Sequence, residues 1–377
     1  MKSLTRISLF LVLIVAVSCR DRSSALPLSD YVSSVLTDTS YVEYHLVKDF
    51  VPDIGGSLAV VGDPQDVMPI VEDLICSDRF DNIDGRAVSD GLTDFAGEHV
   101  AAYMHESLLS DVYSEGDFTE LARLSVKEFI ASIDTGYLYS PYDRNSVEHK
   151  ARAKLVVLAT PFSSVHGLRD IDTLCQIAGL EIPVVSAADE MMRYLIEKYP
   201  QPARVCLWAS ADRAKGDVYG DIFLRCGGIS DGLRLIVPTS GSGLWLGLLS
   251  FLDKYMEDGS LRQISAIAVD DPGLDPDELR AVCDSLRSST DEALIKYRNL
   301  LAKDFELVFP SEVVSRRCYG LLRESNSFTH RVAAPETVAY RMDDTTLVRL
   351  RDVLISDELR LLMEQKAPKA LSRYVRP

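Results

Sequence analysis

Two loops with small hydroxyl side chains follow short apolar runs, and they hold the residues best suited to bind a ligand. In one of them, the run 233–237 leads into Thr239, Ser240, Gly241 and Ser242, and a helix-length segment follows. Free N–H groups at a helix start, together with hydroxyl groups, suit a carboxylate or a phosphate. We expect these four residues to bind part of a small polar ligand. A tight turn capped by serine is the structural alternative.

A nucleotide cofactor is not predicted for this loop. Its glycines, Gly241, Gly243 and Gly247, are spaced one residue more widely than the dinucleotide fingerprint G-x-G-x-x-G. The next apolar run ends in Asp270 and Asp271, near where an acid that binds a ribose would stand. Because the spacing differs, we expect Asp270 to line the cleft for the polar ligand, and we expect no cofactor.

The second loop contains Ser163, Ser164 and His166, directly after another apolar run. A serine close to a histidine can act as a nucleophile with its base, so a hydrolase using Ser163 or His166 is one alternative. Neither Ser163 nor Ser164 stands in a G-x-S-x-G elbow, however. We therefore expect these three residues to line a ligand cleft. Asp212 and Arg213 follow a third run and either bind polar substituents or pair at the surface.

No metal site is predicted. Glu98, His99, His105 and Glu106 stand on a predicted helix where two pairs share a face, but a metal site needs more ligands than one pair supplies. The acidic stretch 78–94 lacks the alternate spacing of a calcium loop. Beyond the first twenty residues the six cysteines are widely spaced and none forms C-x-x-C, which leaves their pairing open.

Short apolar runs rich in Val, Ile and Leu alternate with helix-length segments, and this alternation defines the fold class. The runs are 57–61, 154–159, 182–185, 204–208, 233–237, 264–269 and 305–309. Strands buried on both faces have this character. We predict an α/β protein with two lobes, each a doubly wound, mainly parallel sheet. Ligands bind such sheets beyond the carboxyl ends of the strands, which is where both loops stand.

The predicted lobes cover residues 51–197 and 203–335, with two prolines between them. Residues 63–150 lack the β-α rhythm and are predicted to form a helical and loop insertion in the first lobe. Residues 336–377 are predicted to form a helical segment that packs back on a lobe, because 345–373 is amphipathic.

The balance of charge excludes one class of partner. The chain of 377 residues has a formal net charge of −17, and 47% of its residues are hydrophobic. That hydrophobic content is typical of a globular protein with a sizeable core. An acidic surface is repelled by phosphate backbones, so we expect no nucleic-acid partner.

The amino terminus has the pattern of an export signal. Lys2 and Arg6 precede an apolar run at 7–17, and Ala16-Val17-Ser18-Cys19 closes it with small residues before a cysteine. This pattern resembles the lipobox of bacterial lipoproteins, which implies cleavage after residue 18, lipid on Cys19 and a membrane contact through that lipid. An ordinary secretory signal or a retained anchor is the alternative.

The resemblance also predicts which residues tether the protein to the lipid and in which membrane it is located. Residues 19–50 are predicted to be the tether and the entry to the fold. The resemblance implies a place in the cell envelope, and Arg20 directly after the cysteine implies the outer rather than the inner membrane.

The passage Ala178-Gly-Leu-Glu-Ile-Pro-Val-Val185 resembles one found in type I periplasmic binding proteins, before their chain crosses between lobes. That resemblance implies a lipid-anchored protein binding a small polar molecule between two lobes. An exported enzyme of hydrolase or isomerase type and an accessory lipoprotein without a ligand are the alternatives. Aspartate/glutamate racemase-like proteins have a similar architecture and use a cysteine in matching loops of each half. Ser163 and Ser240 stand in those loops here, so racemase chemistry is not expected.

Overall fold

The computed structural model describes residues 29–350, except for 139–146, 200–203, 230–231, 240–242, 258–261, 330 and 344–345. It contains two sheets with helices packed against both faces, which confirms the predicted α/β class with two lobes. In the described part of the chain, no helix combines the length and the apolar character that crossing a membrane requires.

The first lobe is built on an eight-stranded sheet with the order β4-β3-β12-β11-β2-β1-β5-β6. The strands are β1 (Ser57–Val61), β2 (His99–His105), β3 (Gly136–Leu138), β4 (Val147–His149), β5 (Ala153–Leu158), β6 (Val184–Ser186), β11 (Glu336–Met342) and β12 (Leu347–Leu350). Pairing is parallel except between β3 and β4 and between β11 and β12. All five residues of β1 are buried, as its unbroken apolar sequence predicts.

The second lobe is a four-stranded sheet in which every pair is parallel. Its order is β10-β9-β7-β8, and its strands are β7 (Val205–Ala209), β8 (Leu233–Ile236), β9 (Ile264–Asp270) and β10 (Leu301–Val308). In the first lobe, the neighbouring strands β6-β5-β1-β2 have the same arrangement. In both lobes the order of the four strands, numbered as they occur along the chain, is fourth, third, first, second. In each lobe these four parallel strands therefore direct their carboxyl ends, and the loops that follow them, to one edge.

Helices connect the strands and cover the sheets. They are α1 (Asp30–Thr37), α2 (Val42–Lys48), α3 (Pro64–Cys76), α4 (Leu109–Glu115), α5 (Phe118–Ile133), α6 (Pro161–His166), α7 (Leu168–Ala178), α8 (Ala187–Lys198), α9 (Val218–Arg225), α10 (Leu244–Glu257), α11 (Pro276–Ser288), α12 (Ile295–Arg298) and α13 (Pro310–Glu324). An apolar cluster joins the lobes, with Phe162 and Met191 on one side and Leu207 and Tyr219 on the other.

The predicted strands after residue 150 are all present, but the prediction of an insertion at 63–150 without strands is wrong. Strand β2 lies within it, paired with β1 and β11 near the middle of the sheet. His99 and His105, which were assigned to a helix, begin and end this strand. Alanines and terminal histidines replace the Val, Ile and Leu of the other strands, so the strand pattern is weak.

The chain returns to the first lobe earlier than the predicted boundary at residue 335. Helix α13 packs its buried residues Val314 and Cys318 into the first-lobe core. The prediction of a helical segment from residue 336 is wrong for 336–350, which form β11 and β12. The neighbouring residues Ala339 and Tyr340 pack into the cores on opposite faces of the sheet, a period-2 pattern. Residues 351–377 lie outside the described residues.

Candidate functional site

A small cavity lies between the lobes, at the carboxyl ends of the parallel strands. Its volume is about 70 Å³. Its wall combines polar side chains with small or apolar ones. The lining residues are Gln65, Asp66, Pro69, Ile70, Ala159, Ala187, Ala188, Tyr219, Val269, Asp270, Asp271, Pro272, Leu274, Pro276, Phe309, Pro310 and Ser311. We call this space the inner cavity. Its place agrees with the general location of ligand sites in open α/β sheets.

Two carboxylates from opposite lobes face the inner cavity, and one arginine lies beside both. Arg213, in the loop after β7, donates from Nη2 to Oδ1 of Asp66 on α3. Its Nε lies 3.7 Å from Oδ2 of Asp270 at the end of β9. Tyr219 on α9 donates its hydroxyl hydrogen to the same Asp270 oxygen. All four side chains are at least nine-tenths buried. They therefore form an ionic cluster across the lobes.

The strand ends of the first lobe hold Asp66 in place. Thr160, directly after β5, donates from Oγ1 to Oδ2 of Asp66 at 2.8 Å and accepts from the backbone N–H of Asp63 at 2.8 Å. Gly62 permits this approach. It has a φ of +137°, and a Cβ at that position would lie 2.6 Å from Thr160 Oγ1. The carboxylate of Asp63 in turn accepts from the N–H groups of Leu109 and Ser110, at 2.7 and 2.9 Å.

Burial shifts the titration of this cluster. Loss of solvent raises the pKa of Asp66 to about 7, even though the charge of Arg213 opposes the shift, and the negative charges of Asp270 and Asp63 raise it further. Burial likewise raises the pKa of Asp63. Burial and the adjacent Asp270 raise the pKa of Tyr219 well above its usual range. A carboxyl pKa raised toward neutral pH is what a general acid or base requires.

A further carboxyl group lies behind the cluster. Glu128 on α5 is fully buried, and within the described part of the chain no side chain donates a hydrogen bond to its carboxyl oxygens. Burial, with the charge of Asp63, raises the pKa of Glu128 well above its usual value. The backbone N–H of His105 opposes this shift, but burial outweighs it and favours the protonated form of Glu128.

Of the residues predicted to bind ligand, Asp270 lies in the inner cavity. Ser163 and Ser164 are buried on α6, which packs against α9 of the second lobe, and they do not line this cavity. Ser164 donates instead to Asp189. His166 stacks on Phe118 with ring centres 4.5 Å apart, and burial lowers its pKa. The structure gives no hydrogen bond between either serine and His166.

The other predicted loop contributes little that the structure describes. Thr239 is exposed and its hydroxyl pairs with Ser250 Oγ at 2.9 Å, away from the inner cavity. Ser240, Gly241 and Ser242 lie outside the described residues. Cys19 also lies outside them.

The sequence did not indicate Asp66 or Tyr219 as site residues. For Arg213 it left two interpretations open, binding of a polar substituent or pairing at the surface. Asp66 and Tyr219 lie inside helices, where a polar residue carries no signal of its own. Arg213 is separated from Asp66 by 147 residues, so their pairing cannot be read from spacing. The one available signal was position, since Arg213 follows a strand end.

No group of three or more histidine, cysteine or acidic side chains in the described ranges is arranged to hold a metal ion. The lining of the inner cavity also contains no cysteine. The chemistry available at the described wall is therefore that of carboxylates, a tyrosine hydroxyl and neutral polar groups.

No protein-family model matches the chain, and no curated protein matches it either. Among solved structures, it is similar to a glutamate racemase from Bacillus anthracis, with a TM-score of 0.42 and 10% identity, over 82% of this chain and 93% of that one. A glutamate racemase from Francisella tularensis in complex with D-glutamate gives 0.42 and 14%, over 84% and 94%. An aspartate racemase homologue from Pyrococcus horikoshii gives 0.36 and 12%, over 71% and 99%. These values do not establish a family.

Proposed function

We propose that this protein is an enzyme of isomerase type that moves a proton on a small molecule bound between its lobes. The observation that carries the proposal is the position of Asp66, a buried carboxyl group with a pKa of about 7, in a cavity that Asp270 lines from the opposite lobe. A carboxyl group with a perturbed pKa in a cleft marks a functional site more often than chance. Two carboxyl groups on opposite sides of the cavity suit removal and return of a proton.

The charges of the wall favour a substrate with an ammonium group. Three carboxyl groups line the inner cavity, those of Asp66, Asp270 and Asp271, whereas Arg213 lies behind them. A carbon beside an ammonium group becomes acidic when a carbonyl group is also attached to it. The substrate class is therefore an amino acid or an aminoacyl compound, and the reaction is inversion at its α-carbon.

In this reaction one carboxylate takes the α-proton and the other carboxyl group gives a proton to the opposite face. The carbon changes configuration, and no atom is gained or lost by the substrate. The carboxyl protons exchange with water between turnovers. Incorporation of solvent deuterium at the α-carbon therefore reports the reaction without knowledge of the natural substrate.

The test is proton NMR of amino acids and dipeptides incubated with the protein in D₂O. We expect loss of the α-proton signal with the unmodified protein, and loss of that activity in Asp66→Asn and Asp270→Asn. Asp284→Asn is the matched control, because Asp284 is an exposed residue of α11. Absence of exchange with every compound would overturn the proposal.

A solute-binding protein that holds the same ligand without reaction is the second candidate. It is favoured by the connection of the lobes at two crossings, between Lys198 and Val205 and between Val308 and Pro310. Lobes joined at few points close around ligands by hinge motion. Saturation-transfer NMR signals from a ligand whose α-proton never exchanges would favour this candidate over the enzyme.

We further propose that the protein is attached to a bacterial envelope membrane through lipid on Cys19. The support is the sequence alone, in which small residues precede that cysteine after an apolar run. Growth of an expressing bacterium with an alkyne-bearing palmitate analogue tests it. Labelling of the unmodified protein and its loss in Cys19→Ala are expected, and an unlabelled protein would overturn the proposal.

A further inference from the structure

A second and larger cavity adjoins the inner one. Its volume is about 370 Å³, and we call it the outer cavity. Pro69, Pro276 and Ser311 line both spaces, so the two share a wall at the boundary between the lobes. The outer cavity is formed by the second half of α3, Arg79, and the first turns of α11 and α13.

The two volumes divide the room for a ligand unequally. A cavity needs roughly 10–15 Å³ to hold one water molecule, so the inner cavity of about 70 Å³ admits a head group of only a few heavy atoms. The outer cavity, at about 370 Å³, has room for a chemical group several times larger. A ligand that fills both is longer than a single small amino acid.

The charges that line the outer cavity indicate which chemical group it can bind. Acidic residues outnumber basic ones in its lining by five to two, the members being Glu72, Asp73, Asp275, Asp277, Glu312, Arg79 and Arg280. Arg79 binds both carboxylate oxygens of Asp73, at 2.6 and 2.7 Å. Arg280 donates to Glu312 at 2.5 Å and lies 4.9 Å from the ring centre of Phe309. Both arginines pair with carboxylates of the same lining, and five acidic residues against two basic ones leave a net charge of −3, so the field that a ligand meets is negative.

We propose that the substrate is a peptide-like molecule, whose amino-terminal aminoacyl group enters the inner cavity and whose following residue, bearing a cationic side chain, occupies the outer cavity. The inference rests on the proposed isomerase function and assigns its substrate class. The amide carbonyl of such a molecule acidifies the α-proton as a free carboxylate does not, because the carbonyl carries no negative charge.

The test compares alanine, alanyl-lysine and alanyl-glutamate in the deuterium-exchange assay. We expect kcat/KM for alanyl-lysine to exceed the values for both other compounds by at least tenfold. Equal values for alanine and alanyl-lysine, or for the two dipeptides, would overturn the inference while leaving the proposed function in place. Absence of exchange with all three compounds and with larger peptides would overturn both.

A variant isolates the outer cavity from the chemistry. Cys76 is an exposed residue at the end of α3 that lines the outer cavity only. Cys76→Trp is expected to lower kcat/KM for alanyl-lysine at least tenfold. Ile177→Trp is the control, because Ile177 is 62% exposed on α7 and lines neither cavity. An unchanged value for alanyl-lysine in Cys76→Trp would contradict the inference.

Discussion

Arg213 of the second lobe donates a hydrogen bond to Asp66 of the first lobe, and both side chains are at least nine-tenths buried. The pair joins the lobes at the wall of the inner cavity. The carboxylates of Asp66 and Asp270 raise the pKa of Arg213, although burial alone would lower it, so the guanidinium stays charged. A ligand that reaches Asp66 therefore meets a carboxyl group already held by the opposite lobe.

Loss of one member of this pair is expected to destabilise the protein strongly. Arg213→Met leaves a buried carboxyl group without its cation, and removing one partner of a buried pair costs about 3–5 kcal/mol. The double variant Arg213→Met, Asp66→Leu removes both charges and is expected to lose less stability than the sum of the single variants. Urea unfolding of all four proteins gives the coupling energy.

A coupling energy near zero would show that the pair does not act as a unit. The double variant can be measured even if Arg213→Met does not fold, because apolar replacement of both members of a buried pair is often neutral in other proteins. A double variant as unstable as the summed single variants contradicts the expected coupling.

The raised pKa of Asp66 predicts a particular dependence of stability on pH. The unfolded side chain titrates near pH 3.9, and the folded one at about 7, so the folded protein binds more protons between these values. The contribution of Asp66 to the free energy of unfolding therefore falls as pH rises from about 4 to 7. The slope from one such group is at most about 1.4 kcal/mol per pH unit.

Asp66→Asn is expected to make the dependence of stability on pH shallower, while the contributions of Asp63 and Glu128 remain. Urea unfolding of the unmodified protein and of Asp66→Asn between pH 4.5 and 7.5 measures it. Asp284→Asn, at an exposed position, is expected to keep the slope of the unmodified protein. If Asp66→Asn kept that slope too, the carboxyl group would titrate normally in the folded state.

Glu128 predicts a stabilising substitution. The pKa of Glu128 in the folded protein lies well above its ordinary value. The contribution of this group to the free energy of unfolding therefore falls as pH rises above about 4.3, the pKa in the unfolded chain. Glutamine has nearly the same shape as the protonated acid and does not titrate. We expect Glu128→Gln to match the unmodified protein at pH 5 and to exceed its melting temperature at pH 8.

The control for this substitution is Glu115→Gln, since Glu115 is exposed at the end of α4. Thermal unfolding of the three proteins at both pH values is sufficient. A melting temperature of Glu128→Gln that is no higher at pH 8 than that of the unmodified protein would contradict a protonated Glu128.

The fold was predictable from sequence to the extent that strands are buried on both faces. Strands β1, β5 and β9 are almost entirely apolar and were recognised from that alone. Strand β2 was not, because its alanines have little β-propensity and its ends carry histidines. Strand β11 was assigned to a helix, since long-range pairing with β2 decides its conformation.

The site was less predictable than the fold. The general rule for open sheets located the correct edge and included Asp270, but it gave equal weight to Ser163 and His166. Those two residues lie on α6, which packs into the contact between the lobes, and nothing in their spacing reveals this. Asp66 gains its unusual pKa from burial and from residues of both lobes, which only the folded chain brings together.

Removal of one hydroxyl group is expected to impair catalysis as well as stability. Tyr219→Phe deletes the donor to Asp270 and leaves the ring in the wall of the inner cavity. A hydrogen bond to a charged group contributes about 1.5–3 kcal/mol. Because Asp270 is one of the two proposed proton-transfer groups, the exchange rate is expected to fall by at least about tenfold.

Tyr255→Phe is the matched control, since its buried hydroxyl binds the Arg262 carbonyl at 2.9 Å and the residue does not line the inner cavity. Deuterium exchange and urea unfolding of both variants separate the effects, and equal exchange rates would contradict a role for Tyr219 in positioning Asp270.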